Sequence, residues 1–426
     1  MKKSNRNGFT IVELVIVIAV IAILAAVLIP TFTNLIKKAN ESSDVQAVRQ
    51  MNTILSAEDA FKNGITINDA VAALKEAGFN GDKYVALVSG RYFFYDQDLR
   101  RIVYTEYKDG NYNVLFPKGV DITGHALFSL SGDVAKKDYA PPAISGDTAT
   151  FSIGSAEEFA QLAADFKAFV DGKTPEALEV FTRVDINKDI KAVSGKDVVI
   201  TLTSNIDMKG ASFNLNLSGV SFTLNGNGYT ISGLVNNSGF AVSNSNAEKV
   251  KSQYGGAFLG YVKGTTKGEA IALKFENITF ENCHFGNDDV RASAIFVGQL
   301  NNNATLTLNN TTVVDCTVSG AKGVAVYLGH AYQSGTQSVK FVGTNTVAGC
   351  ELSASDTTNT GMVGTIIGRI SGDNKSVSGP APTCDVTIIS AGVAVENASA
   401  RSIININGVV QPANIVTYTE AGWAKE

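Results

Sequence analysis

The first long apolar stretch of the chain occupies residues 9–29 and reads FTIVELVIVIAVIAILAAVLI. Its 21 residues contain a single ionisable side chain, that of Glu13. As a helix that rises about 1.5 Å per residue, the stretch is about 32 Å long, which matches the hydrocarbon core of a bilayer. The residues before it carry Lys2, Lys3 and Arg6 and no acid. The pattern therefore predicts a single-pass membrane helix whose N-terminus stays in the cytoplasm.

The helical pattern continues beyond Pro30. Apolar residues recur at near-helical spacing as far as Phe61, and Gly64 provides a stop. We therefore expect one helix over residues 9–62. A secretory signal is excluded, because the apolar region of such a signal is shorter than residues 9–29 and is followed by a small-residue cleavage site. A plain single-span anchor remains an alternative, but it leaves Glu13 unexplained.

Glu13 lies four residues into the apolar stretch, where an unpartnered carboxylate is costly and marks a functional hypothesis. Cleavage between Gly8 and Phe9 would create a free α-amine close to this position. The amine of one chain could then pair with Glu13 of a neighbour whose helix is staggered by about one turn. The cost of burying the carboxylate would be recovered only in an assembly.

Residues 8–14 read GFTIVEL, and with the short basic leader they resemble the processing site of type IV pilins and pseudopilins. In that family a membrane prepilin peptidase cuts after the Gly and methylates the new N-terminal Phe, while the Glu guides subunit docking. The resemblance implies a leader over residues 1–8, cleavage at Gly8, methylation of Phe9, and assembly through Glu13 with Thr10 and Pro30. It also implies three partners, namely the peptidase, other pilin subunits and the membrane.

Residues 65–140 are expected to form a small α+β head of the kind found in pilins. Asn68 is the expected N-cap of a short helix, because Asn is a preferred residue at that position. Three strands are expected to follow, at Tyr84–Val88, Arg91–Tyr95 and Arg101–Tyr104. The segment Ala140-Pro141-Pro142-Ala143 predicts a linker, since consecutive prolines do not fit inside a sheet.

The remainder, assigned to residues 150–415, is repetitive. Residues 273–285, 306–318 and 339–352 align with one another, and four Gly-containing segments precede the repeats at a period of 31 to 39 residues. Such short strands bury their apolar side only when the repeats stack, which predicts a parallel β-helix. The region resembles the pectate-lyase-like right-handed β-helix superfamily, including its adhesin-type repeats. An ordinary β-sandwich is the alternative. A helix capped by Ser155, with Glu158 completing a capping box, is expected before the repeats.

Three cysteines coincide in the aligned repeats, namely Cys283, Cys316 and Cys350, and we expect them to be buried small apolar residues. A disulfide between neighbours is an open alternative. Cys384 is expected to precede its strand and to be out of register with them. No metal site and no cofactor are predicted, because metal ligands converge from several directions rather than stacking in single file.

The predicted fold class is α+β: a long pilin helix and a small head, then a mostly-β second domain. Lys+Arg 35 against Asp+Glu 40 gives a net charge of −5, so nucleic-acid binding is not indicated. We expect a non-enzymatic minor or tip-proximal pilin that displays the β-helix for adhesion to a carbohydrate or protein ligand. The alternatives are a pseudopilin of a type II secretion or competence system, and a surface-displayed enzyme acting on polysaccharide. For the enzyme, the nearest candidate site is the turn at residues 287–291.

Overall fold

The computed structural model describes residues 11–187, 190–236, 254–287, 290–321, 323–332, 335–355, 363–370, 375–380, 382–390, 393–394, 404–406, 409–411 and 423–424. The chain divides into two compact units, residues 1–125 and 126–426. The segment with Pro141 and Pro142 lies within the second unit.

The first unit is built on one continuous helix of 52 residues. Its elements are α1 (Ile11–Lys62), α2 (Ile67–Glu76), a 3-10 helix (Gly81–Tyr84), β1 (Arg91–Asp96), β2 (Arg101–Lys108) and β3 (Asn111–Phe116). As predicted, α1 ends just before Gly64. The φ of Gly64 is +134°, a backbone conformation that is unfavourable for residues with a Cβ atom. Within this unit, β1 pairs with β2 and β2 with β3, both antiparallel. The expected strands at Arg91–Tyr95 and Arg101–Tyr104 are confirmed.

Two details of the first unit were predicted wrongly. The N-cap of α2 is Thr66 rather than Asn68, because Thr66 and Asp69 form a reciprocal capping box that satisfies two backbone N–H groups. The expected strand at Tyr84–Val88 does not form. Tyr84 ends the 3-10 helix, and the backbone N–H groups of Leu87 and Val88 donate to a carboxylate of α1 instead of to a neighbouring strand.

The second unit consists almost entirely of short strands. Its first elements are β4 (Leu127–Ser129), β5 (Ala143–Ser145), β6 (Thr148–Ile153), α3 (Ala156–Val170), a 3-10 helix (Glu176–Leu178), β7 (Phe181–Asn187), β8 (Ile190–Gly195), β9 (Asp197–Leu202), β10 (Ile206–Asp207), β11 (Leu215–Ser218), β12 (Phe222–Asn225), β13 (Thr230–Ser232) and β14 (Val235–Asn236). The expected helix is present with Ser155 as its N-cap. The capping box is incomplete, because Glu158 accepts from the N–H of Gly154 rather than from that of Ser155.

The later strands repeat a common pattern. They are β15 (Tyr254–Gly256), β16 (Leu259–Lys263), β17 (Ile271–Glu281), β18 (His284–Phe285), β19 (Ala292–Ser293), β20 (Val297–Asn301), β21 (Ala304–Val314), β22 (Thr317–Gly320), β23 (Val324–Ala325), β24 (Leu328–Ala331), β25 (Gln337–Val342), β26 (Thr346–Ala354), β27 (Val363–Gly364), β28 (Ile367–Ile370), β29 (Lys375–Ser378), β30 (Thr383–Ser390), β31 (Val393–Ala394), β32 (Ile404–Ile406), β33 (Val409–Gln411) and β34 (Trp423–Ala424). The described strands form extended ladders in which most neighbours are parallel.

Three parallel ladders run through the repeats. One joins β9, β12, β17, β21, β25 and β29, a second joins β11, β16, β20, β24, β28 and β32, and a third joins β15, β19, β23 and β27. Two parallel neighbouring strands must be joined by a crossover of a dozen residues or more. Successive strands of a ladder therefore come from successive sequence repeats. The predicted alignment is confirmed: Phe280 pairs with Val313, which pairs with Val347.

Aromatic side chains fill the interior of the second unit. Phe275 contacts Phe296 at a centroid distance of 4.9 Å, and Phe296 stacks on Tyr327 at 5.3 Å. On α3, Phe159 lies edge-on to Phe213 at 4.8 Å, so this helix is attached to the same apolar interior. Such offset and edge-to-face contacts favour one packing over others. The result is a rigid support for the outward-facing side chains of the ladders.

Candidate functional site

The N-terminal part of α1 exposes many large apolar side chains. Ile11 is 82% exposed and Phe32 58%, and the described large apolar residues between them are exposed as well. By length and composition, α1 is the one described helix that could cross a membrane, and none of its apolar window is buried within the protein. Because water is an unfavourable medium for so much contiguous apolar surface, this half of the helix requires another environment.

The C-terminal part of the same helix is buried against the head. Val48, Met51 and Leu55 each have 0% exposure, and they lie three or four residues apart on one helix face. Phe94, Tyr95 and residues of β2 belong to the same core. The head is therefore attached along the last turns of α1.

A buried carboxylate fixes the point at which the head begins. Asp44 is 2% exposed and accepts three hydrogen bonds: from the N–H of Leu87 at 2.9 Å, from the N–H of Val88 at 3.3 Å and from the Tyr104 hydroxyl at 2.7 Å. Burial is the main cause that raises the pKa of Tyr104 well above its usual range. A carboxylate with this many donors is satisfied without a counter-ion from outside the head.

Further polar contacts attach the helix to the head on either side of Asp44. The Arg91 guanidinium contacts Glu41 at 2.6 Å and donates to the Tyr104 hydroxyl at 3.2 Å. About two helical turns after Asp44, the Asn52 side chain both donates to the backbone C=O of Ile102 at 2.9 Å and accepts from the Ile102 N–H at 2.6 Å. These contacts define the orientation of α1 relative to β2.

The end of α1 is fixed by an exposed charge pair. Lys62 contacts Asp69 of α2 at 2.6 Å and Glu58 at 3.1 Å. The hydrogen bond from Lys62, followed by those from Thr66, lowers the pKa of Asp69 to about 2. Because the pair is partly exposed to solvent, it contributes little to stability.

The predicted processing and assembly residues are only partly within the described structure. Gly8, Phe9 and Thr10 lie outside the described residues. Glu13 and Pro30 lie on α1, which runs through both positions as one helix, but their side chains are outside what the structure describes. Their roles remain predictions. The lyase candidate at residues 287–291 is described only at Asn287, Val290 and Arg291.

The cysteines form a buried row. All four are free, and the backbone N–H of Cys283 contacts Sγ of Cys316, while that of Cys316 contacts Sγ of Cys350, each at 3.4 Å. Cys384 is out of register, as predicted, since it pairs with Val347. It nevertheless lies inside its strand, which begins at Thr383, so the prediction that it precedes the strand was wrong. Burial raises the pKa of Cys316 and, for Cys384, raises it to about 12. These thiols are therefore poor nucleophiles.

One group of ionisable residues was missed by the sequence reasoning. One potential ligand atom from each of Asp96, Asp98 and His125 lies within 4.8 Å of the others. Nδ1 of His125 is 2.8 Å from Oδ2 of the fully buried Asp96, and this hydrogen bond raises the pKa of the imidazole. The two residues are far apart in sequence, so no local sequence motif predicts their contact. The pairing of the imidazole with Asp96 accounts for its position.

The comparisons with known proteins concern the N-terminal part of the chain. Residues 3–29 match the family model described as the prokaryotic N-terminal methylation motif. The type IV wide pilus major component PilA4 of Thermus thermophilus is 41% identical over 69 residues, which cover 16% of this chain and 50% of that protein. The type IV major fimbrial protein FimA of Dichelobacter nodosus is 43% identical over 53 residues, covering 12% and 34%.

A further relative matches the chain over a longer stretch. The prepilin peptidase-dependent protein A of Clostridium perfringens is 31% identical over 91 residues, covering 21% of this chain and 61% of that protein. The chain thus spans about half the length of the curated relatives it matches. No solved structure matches the chain.

The exposed apolar half of α1, its buried C-terminal half and the matched motif together define a class: proteins with an apolar N-terminal helix and a head packed on the C-terminal part of that helix. Within that class, the N-terminal part of this chain carries the N-terminal methylation motif and is similar to type IV pilins. The second unit follows that part as an α+β fold rich in parallel strands.

Proposed function

We propose that the protein is a subunit of a type IV pilus-like filament, inserted in the membrane through α1 before assembly. The observation that carries the proposal is the division of α1: its large apolar residues are exposed over residues 11–36, whereas Asp44 and the core residues beyond it are buried. A helix that served the head alone would not need an apolar extension of this length. The lipid bilayer first, and the helices of other subunits afterwards, are the environments that such a surface fits.

Processing completes the proposed role. Prepilin peptidase cleaves after Gly8, and the new N-terminal amine of Phe9 is methylated. The matched methylation motif supports this step, as does the similarity to a prepilin peptidase-dependent protein. The amine of one subunit then pairs with Glu13 of its neighbour, since two opposite charges in a medium of low dielectric attract strongly. Thr10 and Pro30 belong to the same assembly segment.

The N-terminus of the protein isolated from cells tests the processing step. Mass spectrometry is expected to find a chain that begins at a methylated Phe9. A chain that still begins at Met1 would contradict the proposal.

Two substitutions of the carboxylate test assembly. Glu13→Gln keeps the shape of the side chain and Glu13→Ala removes it, and both remove the charge. We expect both variants to remain in the membrane fraction and to be absent from sheared filaments, while the control Glu76→Gln, on the exposed face of α2, assembles normally. Normal assembly of both Glu13 variants would overturn the charge-pairing role.

For the second unit we propose a right-handed parallel β-helix over about residues 150–415 that presents a binding surface for adhesion to a carbohydrate or protein ligand. Three parallel ladders with a common repeat support the β-helix, because each repeat contributes one strand to each ladder. Its bulk favours a minor or tip-proximal position over that of a major subunit. Immunogold labelling of the second unit is expected at filament tips or at rare sites, and dense labelling along the whole shaft would contradict that position.

A further inference from the structure

One outward-facing row of the second unit consists of the same residue at five successive strands. The backbone registers pair Thr230 with Thr279, Thr279 with Thr312, Thr312 with Thr346, and Thr346 with Thr383. Neighbouring strands in a sheet are about 4.8 Å apart, so the row extends over about 19 Å. We call these five residues the threonine row.

The position next to each threonine faces inward and is not uniform. It holds Ile231, Phe280, Val313, Val347 and Cys384, all buried. Because side chains alternate across a strand, the threonines face outward. The first four are partly exposed, and Thr383 is exposed. The interior thus accepts aliphatic, aromatic and thiol side chains, whereas the outer position repeats one hydroxyl.

The hydroxyls of the threonine row have no hydrogen-bond partner within the described part of the protein. Other hydroxyls of the same sheet do: the Thr311 hydroxyl donates to Asn345 Oδ1 at 2.8 Å, and those of Thr305 and Ser338 are 2.9 Å apart. Packing of the second unit therefore does not use the polar atoms of the row, although it uses those of its neighbours. They are available to a ligand.

The flanks of the row carry no cationic side chain. On one side, the amide of Asn310 donates to Asn277 at 3.3 Å, which continues the polar surface around the turn. On the other side, the positions two residues after Thr312 and Thr346 hold Val314 and Ala348. The equivalent positions after Thr279 and Thr383 hold the acidic residues Glu281 and Asp385. Hydroxyl and amide groups beside small apolar side chains match the surface of a sugar ring, which has hydroxyl edges and C–H faces.

The absence of cationic side chains at these positions, together with the acidic Glu281 and Asp385, decides against anionic ligands. A nucleic acid or an acidic polymer would need cationic side chains along the row, and a membrane surface would need cations or large apolar residues. An equally spaced row of neutral donors and acceptors instead fits an extended ligand that repeats its own hydroxyl groups. We propose that the threonine row binds a neutral, extended polysaccharide chain, which rests on the proposed role of the second unit as the displayed binding surface.

Isosteric substitution isolates the hydroxyls. Thr312→Val together with Thr346→Val keeps the β-branched shape and the strand propensity but removes two hydroxyls. The matched control is Thr223→Val with Thr307→Val, two partly exposed threonines in another outward row of the same sheet. Equal thermal unfolding of both variants and the wild type verifies that the fold is retained.

Binding is measured by co-sedimentation of the purified full-length chain, in detergent, with an insoluble neutral β-linked glucan, and with polygalacturonate and duplex DNA as anionic comparators. We expect the glucan to be bound, the T312V/T346V variant to bind it at least about tenfold more weakly, and the control variant within about twofold of the wild type. Wild-type affinity in T312V/T346V, preference for an anionic polymer, or failure to bind the glucan would each overturn the proposal. A change in oligomeric state confined to T312V/T346V would also overturn it, since the row would then join two copies of the chain.

The filament role is tested separately. Because the binding assay uses the isolated chain, loss of glucan binding in T312V/T346V does not depend on assembly. Loss of assembly in the Glu13 variants with glucan binding retained concerns the filament alone. A chain that begins at Met1 but still binds the glucan would contradict only the proposed function.

Discussion

Both halves of α1 contain large apolar side chains, but these side chains are exposed in the N-terminal half and buried in the C-terminal half. Leu24 in the N-terminal half is 55% exposed, whereas Leu55 in the C-terminal half is completely buried. The difference lies in the residues between the apolar ones. In the buried half these include Asp44 and Asn52, which hydrogen-bond to the head, whereas the exposed half contains a long run of consecutive apolar residues. Apolar residues mixed with polar ones are typical of a helix face that packs against protein. A long run of apolar residues is typical of a helix that contacts lipid or other helices.

The largest expected effect is that of truncating a leucine in the buried half of α1, compared with the same substitution in the exposed half. Leu55→Ala leaves a cavity in the core of the head and is expected to lower the free energy of unfolding of the first unit by about 3 kcal/mol. Leu24→Ala is the matched control, with an expected change within about 0.5 kcal/mol because that side chain has no core around it. Hydrogen exchange of the β1–β3 amides, with the full chain in detergent, measures both values. Similar losses in both variants would show that the two halves do not differ.

A smaller effect is expected at the polar contact that marks the start of the buried half. Asp44→Ala leaves the N–H groups of Leu87 and Val88 and the Tyr104 hydroxyl without their acceptor, which is expected to cost about 2 kcal/mol in the same exchange experiment. Glu76→Ala removes an exposed carboxylate of α2 and is expected to be nearly neutral. If Asp44→Ala is also neutral, the carboxylate does not hold the head on the helix.

The smallest effect concerns the charge pair at the end of the buried half. The pKa of Asp69 is about 2, lower than its ordinary value of 3.8, so the ionised side chain stabilises the fold at pH 4 and above. This contribution is lost as the pH falls from 4 through 2. Asp69→Asn retains an oxygen that can accept from Thr66 and is expected to make the stability of the first unit less dependent on pH in this window. Urea unfolding at pH 4 and pH 2 provides the measurement, and an unchanged pH dependence would contradict the assignment.

Sequence periodicity accounts for the elements that were predicted correctly. The 3.6-residue spacing of Val48, Met51 and Leu55 identifies the buried face of α1, and Gly64 its end. In the second unit, the fixed repeat predicted that Cys283, Cys316 and Cys350 share a row, because in-register parallel strands place equivalent residues side by side. Patterns of this kind are local or repeat at a constant interval. They can therefore be found without knowing the fold.

The missing strand at Tyr84–Val88 and the missed group at His125 both involve contacts between distant residues. Val85–Val88 has the composition of a strand, but the carboxylate of Asp44, more than 40 residues earlier, accepts the backbone N–H groups of Leu87 and Val88 that a strand would have used. The contact between His125 and Asp96 was missed for the same reason. At Thr66 the error was local, since Thr66 and Asp69 have the spacing of a capping box and outcompete the neighbouring Asn68.

The in-register rungs of the second unit also bear on how such a protein changes over time. Since each rung meets the same kinds of side chain above and below, duplication or deletion of one sequence repeat would add or remove a layer without creating a new kind of interface. The reach of this unit can therefore vary in whole steps during evolution, while the insertion helix and its head stay as they are.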